Sequence, residues 1–185
     1  MTHKDLVRRA VSWLKNNQGC TIVINELSSS HVSEQPDAIG FKGGMSILIE
    51  CKSSRADFFA DSKKHFRKYG GDGMGNTRYY MAPVRMIGVN ELPSMWGLLE
   101  VYESQIRVKH KGEFFDETNK TGEVALLTSV IRRLEISTAV FVRYEDEAQP
   151  AGEAETNHKC EAPQISWNHD HTKWVCLYCG MYGTA

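Results

Sequence analysis

The chain has 185 residues, 41% of them hydrophobic and 24% charged, and its formal net charge is −1. That is enough apolar material for a genuine core, in one ordinary domain or one domain with a small appendage. No apolar run approaches the roughly eighteen residues of a membrane span, and "MTHKDLVRRA" lacks a signal-peptide core, so a cytoplasmic protein with no membrane contact is expected. Five cysteines, an odd number clustered late, do not read as a disulfide framework.

In chain order, Thr2 can cap a helix running to about Asn16, with Leu6, Ala10, Trp13 and Leu14 at helical spacing and Gly19 ending it. "CTIVINEL" (20–27) reads as a strand and "SSSHVSEQ" as a polar loop. A hairpin follows in "QPDAIGFKGGMSILIECK" (35–52): mostly apolar runs at 38–41 and 45–49 flank Gly43-Gly44, a pair suited to the positive φ angles of a two-residue turn. If Lys42 pairs with Met45 across that turn, Asp37 faces Glu50. Lys52, two residues on, leaves the same face of the strand. Two carboxylates so opposed, about 5 Å apart, repel by on the order of 3 kcal/mol at an effective dielectric near 20. A hard divalent cation turns that repulsion into chelation. A register slip of one residue would instead send one carboxylate to solvent.

Beyond the hairpin, Ser53 or Ser54 caps a helix expected to reach about Tyr69. Phe58, Ser62 and Phe66 share one face, and Asp57, Asp61, Lys64 and Lys68 another. Gly70, Gly71, Gly73 and Gly75 read as a flexible loop. "TRYYMA" (77–82) reads as a strand that completes a right-handed crossover beside the hairpin. "GLLEVY" and "QIRVKH" read as a second hairpin, 122–135 as a helix and "TAVFVRY" (138–144) as a last strand. Together they make an α/β sheet with helices on its faces. Residues 52–85 carry eight basic and three acidic groups, which suits a phosphate-backbone contact as well as a solvated helix face.

Pro36-Asp37, twelve residues, then Glu50-Cys51-Lys52 resembles the PD-(D/E)XK motif of restriction-endonuclease-like nucleases. "SSRADFFADSKKHFR" (53–67), "GMGNTRYYMAP" (73–83) and "LPSMWGLLEVY" (92–102) resemble a phage and bacterial branch that includes MmcB-like DNA repair proteins. The likeness covers about residues 2–110. It implies a restriction-endonuclease-like mixed β-sheet flanked by helices and a metal-dependent DNA nuclease of a bacterial cell or infected host. In that reading Asp37, Glu50 and the Cys51 carbonyl hold Mg²⁺ or Mn²⁺. Lys52 orients the attacking water and stabilises phosphoryl charge, leaving a 5′-phosphate and a 3′-hydroxyl. Glu26 is a candidate further carboxylate of the site or a plain strand-end glutamate. Asp5 and His3 of the first helix are weaker candidates, and the Cys51 side chain is expected in the core. The rival readings are a catalytically silent nuclease fold that holds DNA and a regulatory protein-interaction module. Oligomeric state stays open, a homodimer being attractive because cutting two strands takes two sites.

Charge divides the chain. Residues 1–144 hold 20 Lys/Arg against 16 Asp/Glu, whereas 145–185 hold 2 against 7. A domain at 1–144 is therefore expected, then an acidic linker "EDEAQPAGEAETN" (145–157), then a unit at 158–185 too short to bury a core. Cys160 and the Cys176-Leu-Tyr-Cys179 knuckle resemble a zinc ribbon. His158 is preferred as fourth ligand because it pairs with Cys160, with His169 and His171 as alternatives. Such a structural Zn²⁺ unit is a natural contact for a protein partner.

Overall fold

Thr2 begins helix α1 (His3–Asn16) with a reciprocal cap: its hydroxyl accepts from the Asp5 N–H, and the Asp5 carboxylate accepts from the Thr2 N–H. The computed structural model describes residues 1–28, 34–61, 63–67 and 70–134, with the strands at 165–167, 173–176 and 182–184. Strands β1 (Ile22–Asn25), β2 (Ala38–Lys42), β3 (Met45–Cys51), β4 (Thr77–Pro83), β5 (Gly97–Val101) and β6 (Ile106–His110) form one six-stranded mixed sheet in sequential order. The β2–β3 hairpin has the expected register, with Lys42 opposite Met45 and Ala38 opposite Ile49, and Gly43 and Gly44 take φ of 55° and 79°. β3, β4 and β5 run parallel, and β6 returns antiparallel.

The parallel strands are covered on both faces, which is why "TRYYMA" and "GLLEV" read as nearly continuous apolar runs. On one face α1 lays Leu6, Val7, Ala10, Trp13 and Leu14 against Ala38, Ile49, Met81 and Leu99. On the other, Ile39, Leu48, Tyr80 and Leu98 pack with Phe58 of helix α2 (Arg55–Asp61), Trp96, and Leu126 of helix α3 (Lys120–Arg133). The class expected from sequence, an α/β mixed sheet with flanking helices, is the one observed.

Two expectations are corrected. Helix α2 closes at Asp61 instead of continuing to about Tyr69, and a short 3₁₀ turn follows at His65–Arg67. In an unbroken helix Arg67 would lie about 9 Å along the axis from Asp61 and roughly 120° off its face. The break lets Arg67 return and bind that carboxylate. Secondly, the glycine loop is pinned. The Met74 N–H donates to Glu34 (2.6 Å), the Gly75 N–H donates to Glu123 (2.9 Å), and Arg78 donates to the Gly73 and Gly75 carbonyls.

Contacts divide the chain into Met1–Leu134 and Glu135–Ala185. The second unit contains an antiparallel sheet of β7 (Ile165–Trp167), β8 (Lys173–Cys176) and β9 (Tyr182–Thr184). The expected strand at 138–144, the linker at 145–157, and His158, Cys160, His169, His171 and Cys179 lie outside the described residues.

Candidate active site at the end of the central hairpin

Asp37 stands one residue before β2 and Glu50 one residue before the end of β3, so the hairpin register carries both to the same end of the sheet. The Cys51 N–H donates to Asp37 Oδ2 at 2.7 Å, tying the carboxylate to the strand that bears Glu50. Asp37 is 20% exposed. Burial, and next the Glu50 charge, push its carboxyl up to about 6 from 3.8; the Cys51 N–H, His3 and Lys52 pull the other way without prevailing. Burial beside the Glu50 charge therefore disfavours the ionised form of Asp37. The Cys51 side chain is fully buried among the α1-facing core residues, as expected, and burial pushes its thiol up.

Glu50 and Lys52 are 1% and 3% exposed, and Lys52 Nζ donates to Glu50 Oε2 at 3.2 Å. Lys52 also donates to Asp61 Oδ1 at 3.1 Å. Burial opposes its charge, but Glu50 and Asp61 outweigh that and hold it protonated above its ordinary range. Asp61 is the hub beneath the site: Lys64 reaches Oδ1 at 2.8 Å, while Arg67 Nε and the Tyr80 hydroxyl donate to Oδ2 at 2.8 and 2.7 Å. Burial would raise its carboxyl, yet Arg67 and Lys52 win and hold it far below the carboxylate range. Arg67 additionally pairs with Glu34 through Nη1.

Helical spacing puts Asp61 on a charged face of α2, and Arg67 belongs to the basic segment 52–85 that suits either a phosphate backbone or solvent. Both side chains are instead almost wholly buried. Glu34, also buried, went unnoticed in the polar loop. No spacing rule announces these three, because the break after α2 brings them together.

One contact of this network is imperfect. Arg67 Nη2 lies 2.9 Å from Glu50 Oε1, but off the line of a hydrogen bond, and both atoms are buried with no hydrogen-bond partner among the described residues.

At the rim, His3 Nε2 lies 3.5 Å from Glu26 Oε1 and 3.6 Å from Asp37 Oδ1. Glu26 sits just past β1, and its φ of 49° is a left-handed conformation that costs a non-glycine residue on the order of 1 kcal/mol. Asp5 is committed elsewhere, to the Thr2 cap and to Arg8 at 2.8 Å. Among the described residues, no group of three or more His, Cys, Asp or Glu side chains is arranged by itself to hold a metal ion. Magnesium needs no such cage, since one or two carboxylates with waters and substrate oxygens suffice. The donors present fit it: two hard carboxylates, one with an oxygen lacking a hydrogen bond and one whose carboxyl is raised to about 6 by burial and then by the Glu50 charge.

The fold and this charged strand end define an α/β architecture with a buried acidic and basic cluster at the mouth of its central hairpin. No protein-family profile matches the chain, and no curated protein does. A solved structure of a protein of unknown function from Silicibacter pomeroyi is similar, with a TM-score of 0.54 and 21% identity over 73% of this chain and 90% of that one. At that identity the likeness shows the fold alone.

Proposed function

We propose that the protein is a metal-dependent deoxyribonuclease of the PD-(D/E)XK kind, acting in DNA processing or repair in a bacterial cell or infected host. The observation that carries this reading is the union of Asp37, Glu50 and Lys52 at one strand end, where Asp37 is largely buried beside the Glu50 charge. Asp37, Glu50 and the Cys51 carbonyl would hold Mg²⁺ or Mn²⁺. The cation supplies polarisation of the scissile phosphate and acidifies a water. Lys52, kept protonated by Glu50 and Asp61, is suited to orienting that water and to stabilising charge on the phosphoryl oxygens. It is not suited to removing a proton. Asp37 holds the end of β3 through the Cys51 N–H. Glu26 and His3, both partly exposed beside Asp37, line the approach.

The C-terminal unit belongs to the same proposal as a structural Zn²⁺ site of Cys160, Cys176, Cys179 and one histidine, His158 by preference, presenting a surface to DNA or a protein partner. A homodimer would supply the second site that double-strand cutting needs.

One observation favours the rival reading of a catalytically silent DNA-binding fold: Glu50 is 1% exposed and both its oxygens face cations of the chain itself. Incubating purified protein with linear, circular, single-stranded and branched DNA in Mg²⁺ or Mn²⁺ separates the two. Cleavage abolished by EDTA supports the nuclease. Binding without cleavage supports the silent module, and neither would leave the interaction-protein reading standing.

A further inference from the structure

The buried cluster beneath the site is nearly balanced without any bound ion. Glu34, Glu50 and Asp61 face the buried cations Lys52 and Arg67, and Lys64 adds a partly exposed third. Within it, every polar atom of the buried carboxylates has a hydrogen bond except Glu50 Oε1, and the equally unbonded Arg67 Nη2 lies 2.9 Å from that oxygen. Buried polar groups are nearly always satisfied, so a pair left unsatisfied at 2.9 Å calls for a physical reason. Arg67 is fixed by its other contacts. Its Nε holds Asp61, its Nη1 holds Glu34, and its guanidinium carbon lies 4.8 Å from the centre of the Trp96 ring. The guanidinium therefore stands against Glu50 as a point charge and not as a formed hydrogen bond.

We infer that Arg67 is a positioning residue that acts through Glu50 as a resident counter-ion, neutralising Oε1 in the metal-free chain and yielding that oxygen when a divalent cation enters. The inference rests on the reading of Glu50 as a metal ligand. An aligned, charge-assisted fork on Glu50 would compete too strongly for the oxygen, and an unpaired Glu50 would be too costly to bury. A charge held close but off-line avoids both extremes. Arg67 thus sets the threshold concentration at which the site loads, and its role differs from that of Lys52, which is hydrogen-bonded to Oε2 and stays.

The test is calorimetric titration of Mn²⁺, without DNA, into the full chain and its variants. Arg67→Gln alone leaves Glu34 and Asp61 short of a partner and endangers the fold, so the main variant is the charge-balanced Glu34→Gln/Arg67→Gln. It is expected to bind Mn²⁺ about tenfold more tightly than the wild type, because a cation near the bound ion has gone while net charge is unchanged. Glu34→Gln alone is expected to give no tightening. Arg67→Lys, which keeps the charge, is expected to bind Mn²⁺ with wild-type affinity. A double variant that is folded by circular dichroism but binds Mn²⁺ equally or more weakly would overturn the inference, as a clamp that merely shapes Glu50 predicts. If wild type binds Mn²⁺ and Asp37→Asn does not, the site reading survives whatever Arg67 does; no binding by any variant would overturn both. In the unaltered chain, Mg²⁺ is expected to change the fluorescence of Trp96, with the change lost in Trp96→Phe. Its absence under saturating Mg²⁺ would also count against release of Arg67.

Discussion

Asp37 carries a pH signature of its own. Its carboxyl lies near 6 in the folded chain against 3.8 for an unburied aspartate, so between those values the folded state holds a proton that the unfolded state has lost. Stability contributed by this group therefore falls as pH rises through that window, and above it the ionised side chain is a net cost. Asp37→Asn keeps an acceptor for the Cys51 N–H and removes the charge. In EDTA at pH 8 the substitution is expected to raise stability by up to about 3 kcal/mol, with little gain at pH 4. Calorimetric melts of both proteins at the two pH values check this, and a lower melting temperature at pH 8 would contradict it. At this scale Asp37, Glu50 and Lys52 were legible in the sequence, because a two-glycine turn fixes register and strand side chains alternate. Glu34, Asp61 and Arg67 were not. Their meeting depends on a chain reversal that no periodicity encodes, and Asp61 at helical spacing from other charged residues reads as surface.

Elements set how rigidly the site is held. The segment after the 3₁₀ turn looked flexible because four glycines fall within six residues, yet Glu34 and Glu123 hold its N–H groups and Arg78 its carbonyls. Gly75 shows why glycine is required there: its φ is +89°, and a Cβ would lie 2.6 Å from Leu48 Cβ and 3.1 Å from the Leu48 nitrogen. Gly75→Ala is accordingly expected to cost about 2 kcal/mol or more, by strain and by pushing on the strand that bears Glu50. Urea unfolding measures it, and a midpoint within error of the wild type would contradict the account. Helix α1 was readable from its period and the β2–β3 hairpin from its turn chemistry, because local signals and burial agree there. The early end of α2 was not, because Lys63 and Lys64 are good helix formers and only the buried pull of Asp61 and Arg67 overrides them.

At the scale of the whole molecule, residues Met1–Leu134 contain both cores and the full site, and Glu135–Ala185 form a separate unit. The zinc unit expected at 158–185 leads to a direct prediction. Elemental analysis should give one zinc per chain, retained in excess Mg²⁺ and lost in Cys176→Ser, with the melting of Met1–Leu134 unchanged; a zinc-free preparation whose late cysteines react quickly with a thiol reagent would contradict it. The central claim concerns the first unit, and the most direct measurement is cleavage of plasmid DNA in Mg²⁺ or Mn²⁺ by the wild type beside Glu50→Gln and Lys52→Ala. The account predicts nicked or linear product from the wild type alone, abolished by EDTA, with both variants folded and at least about a hundredfold slower. Equal cutting by wild type and Glu50→Gln, or none by the wild type with either metal on any DNA form, would contradict it.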